Sequence, residues 1–330
     1  MLLPQHNYLK PESLDACLDA LRDAENSVAG SGLIVAGGTD VIFNMRLKLF
    51  RPETVVSIRR LKELSTVEDL PDGSLRIGAS CRLTDLAEHP LINERFPAFA
   101  ESVRSVASTH IRNMATLGGN ICLQTRCWFT NNSDQWRQGK ESCFKTDGNM
   151  CHVIKSSEKK CHAINNSDTP LALIALDAVL TIRKSGERRE LPVAEFFNED
   201  GIEYMKLAPD ELVTHVTIPP CSDRSVFQKY AARKGIDFSV GSIAARCNGS
   251  GEQCDRITLV LGSLSTAPIV LAGAADIIRR TGLTDDAIEL AADTVREDLG
   301  EVTNLYSRAV YKKQIARVLV RRALLKLRDM

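Results

Sequence analysis

Hydrophobic spacing over the beginning of the chain predicts a small βαβ unit. Apolar residues three or four positions apart predict a helix at residues 11–22, and Ser13 can cap its start. Short apolar runs predict buried strands at 33–36 and 54–57, with a helix at 41–48 between them. The first predicted domain therefore comprises residues 1–57.

The rest of the chain divides into two further regions by the same criterion. Residues 58–222 alternate strands and helices, with strands predicted at 75–79, 178–182 and 212–218 and helices at 83–88, 98–107 and 171–176. Residues 223–330 predict three strands, at 227–232, 242–246 and 257–261, and three helices, at 272–280, 285–295 and 308–327. The predicted fold class is α+β, with an α/β-type part of two subdomains followed by a C-terminal three-stranded sheet with a helix bundle.

Composition and charge narrow the class of protein. The chain has 330 residues, and Lys+Arg and Asp+Glu both number 42, so no basic excess indicates a nucleic acid or a membrane surface as partner. The first residues turn polar too soon for a signal peptide, and no apolar run approaches the ~18 residues of a membrane helix. Ten cysteines without a secretory signal predict a reducing compartment and a cytoplasmic location.

Two glycine pairs are candidates for anion binding. Val35, Ala36, Gly37, Gly38, Thr39 and Asp40 run from a predicted strand into a predicted helix, where backbone N–H groups can approach a phosphate. The segment lacks the G-x-G-x-x-G pattern, so a plain tight turn with Asp40 capping the helix stays open as an alternative. Gly118 and Gly119 form the second pair, with Thr116 and Asn120 on either side as further donors.

Four cysteines fall within one polar stretch at about residues 123–163. Cys127, Cys143, Cys151 and Cys161 are spaced C-x15-C-x7-C-x9-C, which is neither a zinc-ribbon nor a bacterial-ferredoxin spacing. An insertion of roughly 40 residues, many of them polar, is expected to bury too little apolar surface to order itself, and a metal held at four points would offset that cost. Buried free cysteines are the alternative to a metal, and zinc is the alternative to iron. His152 and His162 are possible further ligands, although solvent-facing neighbours are the simpler interpretation.

Several of these segments resemble, in order, the loops of one flavoprotein family. They are 36–40, 111–120 and 168–171, followed by a C-terminal helix similar to that of the family over 307–324. The chain thus resembles the FAD-binding medium subunit of the molybdenum hydroxylases, the group of xanthine dehydrogenase and carbon monoxide dehydrogenase. The resemblance implies a PCMH-like FAD-binding part and places FAD against Val35–Asp40, Thr116, Gly119, Asn120 and Asp168. Lys229 resembles a family position near the flavin ring, with a surface strand lysine as the alternative.

The cysteine-rich insertion resembles that of the β subunit of 4-hydroxybenzoyl-CoA reductase. That resemblance implies a [4Fe-4S] cluster on Cys127, Cys143, Cys151 and Cys161, with Cys122 on the scaffold side as a non-ligand. The predicted function is an oxidoreductase subunit that passes electrons from a ferredoxin-like donor through the cluster and FAD. The implied partners are a small [2Fe-2S] subunit and a large molybdenum-cofactor subunit, in a dimer of heterotrimers. The alternatives are an electron-exit subunit of an oxidising hydroxylase and a zinc-stabilised module without flavin.

Overall fold

The chain is described by a computed structural model that covers residues 2–27, 32–233, 235–300 and 307–330. Three sheets follow one another along it, and each carries its own helices. Among the described helices, none is both long and apolar enough to cross a membrane.

The N-terminal subdomain is a three-stranded parallel sheet with two helices. Its elements are β1 (Asn7–Leu9), α1 (Leu14–Glu25), β2 (Gly32–Val35), α2 (Val41–Arg46) and β3 (Thr54–Ser57), in the strand order β1–β3–β2. The predicted cap is confirmed, because Ser13 Oγ accepts a hydrogen bond from the backbone N–H of Ala16 at 3.2 Å. Strand β1 was not predicted, since its three residues are all exposed and carry no apolar alternation.

The second subdomain is a five-stranded antiparallel sheet in the order β4–β5–β8–β6–β7. The strands are β4 (Val67–Asp69), β5 (Leu75–Gly78), β6 (Val179–Lys184), β7 (Glu187–Pro192) and β8 (Leu212–Ile218). The helices are α3 (Leu83–Glu88), α4 (Pro90–Arg95), α5 (Pro97–Ser105), α6 (Thr109–Arg112), α7 (Leu117–Ile121), α8 (Asp134–Gln138) and α9 (Thr169–Ala175). The sequence analysis missed the two edge strands, because β4 has only three residues and β7 is strongly polar.

The C-terminal domain has four antiparallel strands, so the predicted three-stranded sheet was wrong by one. Its elements are β9 (Arg224–Tyr230), β10 (Gly241–Cys247), β11 (Ile257–Gly262), β12 (Ile269–Val270), α10 (Ala272–Thr281), α11 (Asp285–Asp298) and α12 (Ala309–Arg328). Strand β12 has only two residues, too few for a period of two to be visible. A disulfide joins Cys247 and Cys254, outside the cysteine-rich insertion.

The C-terminal domain and the second subdomain share one hydrophobic core. Phe227, Ala244 and Val260 of the C-terminal sheet belong to the same buried cluster as helices α5 and α9. At the contact, a Cβ on Gly262 would lie 2.5 Å from Leu171 Cδ1, so the backbone of β11 packs directly on α9. This packing brings Lys229 of β9 next to Asp168 at the start of α9, and both residues belong to the site.

Candidate cofactor sites

A cavity of about 630 Å³ lies where the three parts of the chain meet. Its lining includes nearly all the residues predicted to bind FAD: Ala36, Gly37, Gly38, Thr39, Asp40, Thr116, Gly119, Asn120, Asp168 and Lys229. Val35 is the exception, since its side chain is buried in a small cluster with Met45 and Val55 and does not line the cavity. The structure thus brings together residues that are almost 200 positions apart in the sequence.

The first glycine pair is required by packing and backbone conformation. A Cβ on Gly37 would lie 1.8 Å from the carbonyl oxygen of Met114, so only glycine lets the two loops cross at this point. Gly38 has φ +73°, a left-handed conformation that side chains disfavour. The pair therefore holds the first loop against the second and leaves its own surface open to the cavity.

Asp40 does not cap helix α2, although it occupies the N-cap position. Its Oδ2 accepts a hydrogen bond from Asn44 Nδ2 at 2.8 Å, and its Oδ1 pairs with the guanidinium of Arg126. Burial raises the pKa of Asp40, and the positive charge of Arg126 opposes that rise. The capping alternative is therefore not what the structure shows: Asp40 connects the first glycine loop to the start of the cysteine-rich insertion.

The second glycine loop is fixed by side chains that bond to backbone groups. Thr116 Oγ1 accepts from the backbone N–H of Gly119 at 3.2 Å and so caps α7. Asn120 Oδ1 accepts from the hydroxyls of Ser167 at 2.8 Å and Thr169 at 2.7 Å. The loop is thereby locked to the start of α9, where Asp168 lies.

Asp168 and Lys229 form a buried ion pair beside the cavity. Lys229 Nζ donates to Asp168 Oδ2 at 2.6 Å and to the carbonyl of Ser105 at 3.0 Å. The lysine side chain is only 12% exposed, so the interpretation of a surface strand lysine is wrong. Burial raises the pKa of Asp168, and Lys229 opposes the rise. Oδ1 of Asp168 is buried without a hydrogen-bond partner, which leaves an acceptor for a group bound in the cavity.

Two further segments of the cavity wall were missed by the sequence analysis. Tyr204 to Val213 and Arg233 to Phe238 contribute scattered lining residues, among them an apolar ring at Phe238. The guanidinium of Arg126 lies 5.0 Å from the centre of that ring. These segments contain no glycine pair or capping pattern, so no local signal in the sequence identified them.

A second, smaller cavity is lined by all four cysteines of the insertion. Cys127, Cys143, Cys151 and Cys161 surround a volume of about 20 Å³. The two ends of the insertion lie side by side, because Arg126 and Ile164 exchange two backbone hydrogen bonds of 2.7 and 2.8 Å. The quartet that the spacing left ambiguous is thus gathered at a single site next to the larger cavity.

Residues distant in sequence hold the cysteine loop in place. The backbone N–H of Cys161 donates to Asp200 Oδ2 at 3.2 Å, and a Cβ on Gly201 would lie 2.7 Å from Cys161 Sγ. Lys145 Nζ donates to the carbonyls of Thr125 and Gly201, each at 2.9 Å. Neither Gly201 nor Lys145 was singled out by the sequence, since no motif surrounds them.

The two histidines next to the cysteines also line this cavity, but their Nε2 atoms are engaged elsewhere. Nε2 of His152 lies 2.8 Å from the carbonyl of Glu141, and Nε2 of His162 lies 3.0 Å from Ser157 Oγ. Both rings are partly exposed, and the interpretation of the two histidines as solvent-facing neighbours stays a prediction. Within the described ranges, no three His, Cys, Asp or Glu side chains are arranged to hold a single metal ion.

Two family models match the chain in succession. The model of the FAD binding domain in molybdopterin dehydrogenase matches residues 4–221. The model of the CO dehydrogenase flavoprotein C-terminal domain matches residues 227–327. The first match alone spans the N-terminal subdomain, both glycine loops and the insertion.

Individual relatives agree with the family models. The aldehyde oxidoreductase FAD-binding subunit PaoB of Escherichia coli is 32% identical over 229 residues, which cover 66% of this chain and 71% of that protein. The glyceraldehyde dehydrogenase medium chain of Sulfolobus acidocaldarius is 23% identical over 98% of both chains. A solved carbon monoxide dehydrogenase from Hydrogenophaga pseudoflava has a chain of the same fold, with a TM-score of 0.81 at 22% identity over 98% of each chain. The chain belongs to the FAD-binding subunits of the molybdenum hydroxylases.

Proposed function

We propose that this chain is the FAD- and [4Fe-4S]-containing electron-transfer subunit of a molybdenum-dependent oxidoreductase. The observation that carries the proposal is the convergence of Cys127, Cys143, Cys151 and Cys161 on one cavity beside the larger one. A flavin subunit without a second redox centre has no need for such a quartet. The family membership supports the flavin, and the cysteine geometry supports the cluster.

The residues of the larger cavity fit a bound FAD. The backbone around Gly37 and Gly38 offers N–H groups at the start of α2, which suit a pyrophosphate. Thr116, Gly119 and Asn120 form the opposite wall, and the unpaired Oδ1 of Asp168 is an acceptor for a flavin or ribityl donor. Flavin chemistry supplies the transfer of one or two electrons at a time. The chain's own part is to hold the ring, exclude water and fix the charges around it.

The cysteine cavity offers four thiols to one bound centre. Four thiolates are a ligand set for a [4Fe-4S] cluster and also for zinc, and the flavin-binding family favours the redox-active centre. Cluster ligands bind different iron atoms and so lie farther apart than four ligands of one ion. The cavity itself admits about one water molecule, so cluster binding would move the cysteine side chains outward.

The partners we propose are a large molybdenum-cofactor subunit and a small [2Fe-2S] subunit, assembled as a dimer of heterotrimers. The resemblance of the cysteine insertion favours a ferredoxin-like donor that feeds electrons inward, for reductive dehydroxylation of 4-hydroxybenzoyl-CoA or a similar aromatic thioester. The names of the relatives favour the second candidate, because aldehyde oxidoreductase and glyceraldehyde dehydrogenase are oxidising enzymes. In that case the same subunit would pass electrons outward from molybdenum.

Anaerobic purification of the native complex tests the proposed cofactors. We expect both proposed partners, one FAD per chain of this subunit, and about four irons per chain beyond those of the [2Fe-2S] subunit. Stoichiometric zinc in place of those additional irons would contradict the cluster, and absence of flavin would contradict the assigned cavity.

The direction of electron flow is tested on the same material. Reduced viologen with 4-hydroxybenzoyl-CoA assays the reductase, and an aldehyde with an artificial electron acceptor assays the oxidising enzyme. Turnover in the second assay alone would eliminate the reductase candidate, and turnover in the first alone would eliminate the oxidising one.

A further inference from the structure

Lys145 is a cation of the cysteine loop that the proposed cofactor binding does not by itself explain. It lies two residues after Cys143 and lines the cysteine cavity. Its Nζ donates to the carbonyls of Thr125 and Gly201 and to the hydroxyl of Thr125. All three acceptors are neutral oxygens, so these bonds orient the ammonium without cancelling its charge.

The surroundings of Lys145 indicate what balances that charge. Lys145 is partly buried and lines the same cavity as all four cysteines. A partly desolvated cation held by neutral groups is costly unless an anion lies nearby. A thiolate-ligated centre in this cavity would be that anion.

The position of Lys145 also faces the flavin side. Its Nζ lies 6.0 Å from the centre of the Tyr204 ring, and Tyr204 lines the larger cavity. The ammonium therefore lies between the two cavities.

We propose that Lys145 is a positioning residue that raises the reduction potential of the centre held by the four cysteines. This inference rests on the proposed function, since it requires the cluster. Reduction adds one electron to the centre and hence one negative charge. A fixed cation at the cavity wall stabilises that extra charge more than it stabilises the oxidised form. The electron is thereby favoured on the side of the loop that faces the flavin.

The test compares two substitutions at this position in the anaerobic holo-complex. Lys145→Gln keeps a hydrogen-bond donor and removes the charge, whereas Lys145→Arg keeps both. Lys155→Met is the control, because Lys155 is an exposed lysine of the same loop. The measurement is a dithionite titration of the cluster followed by its paramagnetic signal, with iron and flavin content recorded for each variant.

We expect Lys145→Gln to shift the redox equilibrium at least tenfold towards the oxidised cluster, which is about 59 mV for a one-electron couple. Lys145→Arg and Lys155→Met should keep the wild-type potential. A wild-type potential in iron-replete Lys145→Gln would overturn the inference. So would loss of iron from both position-145 variants with flavin retained, which would make Lys145 a structural clamp. A wild-type protein without cluster signal would refute the proposed cluster, and this inference with it.

Discussion

The two cavities of this protein are built in opposite ways. The larger one is walled by loops at the ends of regular elements, and close backbone contacts such as Gly37 against Met114 hold those loops together. The smaller one is enclosed by an irregular polar loop with one five-residue helix, α8, and one short 3₁₀ turn. The first is therefore preformed by packing, whereas the second has little apolar core, and we propose that a centre bound by its cysteines supplies the missing order.

The two cavities are nevertheless joined through charged side chains. Asp40 of the first glycine loop pairs with Arg126, the residue directly before Cys127. On the outer side, Asp134 of the insertion pairs with Lys48 and Arg51 of the N-terminal subdomain, at 3.4 and 3.2 Å. The insertion is thus docked on the flavin-binding part by these ion pairs. Iron and flavin are measured separately, so the content of one cofactor serves as the control when a substitution is made in the cavity of the other.

The largest expected effect is on iron. Cys143→Ser should remove the cluster iron completely, because a multinuclear centre does not tolerate loss of one thiolate in a loop with no other source of order. FAD should remain bound, since the larger cavity is held by its own packing. Cys122→Ser is the matched control, as Cys122 lines the larger cavity and not the smaller one. Iron and flavin per chain are measured, and unchanged iron in Cys143→Ser would remove that residue from the ligand set.

The next effect is on flavin. Gly38→Val should abolish FAD binding, because the added side chain would press on Ile42 and Val35 at a position with φ +73° and so displace the first glycine loop. Gly186→Val is the matched control, because Gly186 has φ +76° and no atom within 4 Å of the added Cβ. Both variants carry a backbone strain of roughly 1–2 kcal/mol, so they differ in the contact of the added Cβ with Ile42, at 3.2 Å, in the first glycine loop. The flavin content of each purified variant is measured by its absorbance. Equal flavin content in the two variants would contradict the assigned loop.

A third effect is on stability and its dependence on pH. Lys229→Met should cost about 3–5 kcal/mol of unfolding free energy near neutral pH, because it leaves Asp168 buried without its cation. Burial raises the pKa of Asp168 above its ordinary 3.8, so folding favours the neutral acid. That contribution is fully present below pH 3.8 and is lost as the pH rises through the raised value.

The cost of Lys229→Met should therefore shrink as the pH is lowered, since a protonated Asp168 needs no cation. Urea unfolding at a series of pH values measures this. Asp168→Asn combined with Lys229→Met should be less destabilised than Lys229→Met alone. A cost that does not change with pH would mean that the lysine contributes packing and not charge.

The smallest effect concerns the second glycine loop. Thr116→Val should lower stability by about 1 kcal/mol and weaken FAD binding without abolishing it, because the cap of α7 at Gly119 is lost. Thr116→Ser keeps the oxygen and should behave as wild type. Urea unfolding and flavin titration of the two variants check this, and equal stability would show that the cap is not needed once the loop is packed.

Most regular elements could be predicted because their signals are local. Strand β8 and helix α3 agree with the predicted bounds at both ends, and the three C-terminal helices differ by only a few residues. The missed elements were strands of two or three residues, the polar edge strand β7, and the helices α4, α6, α7 and α8, each of only four to six residues. Elements this short or this polar show no periodic apolar pattern. Val35 was assigned to the site because it adjoins the glycine loop, but the pleat turns its side chain into the core.

The sequence by itself indicated two glycine pairs as candidates for phosphate binding and four cysteines as candidate ligands of a metal centre. Glycine pairs, capping residues and clustered cysteines are properties of short stretches, so they can be recognised without knowledge of the fold. Only the tertiary structure decided that Asp168 meets Lys229 across 61 positions and Asp40 meets Arg126 across 86. Side chains so far apart are brought together by packing of whole elements, and periodicity carries no information about such pairings.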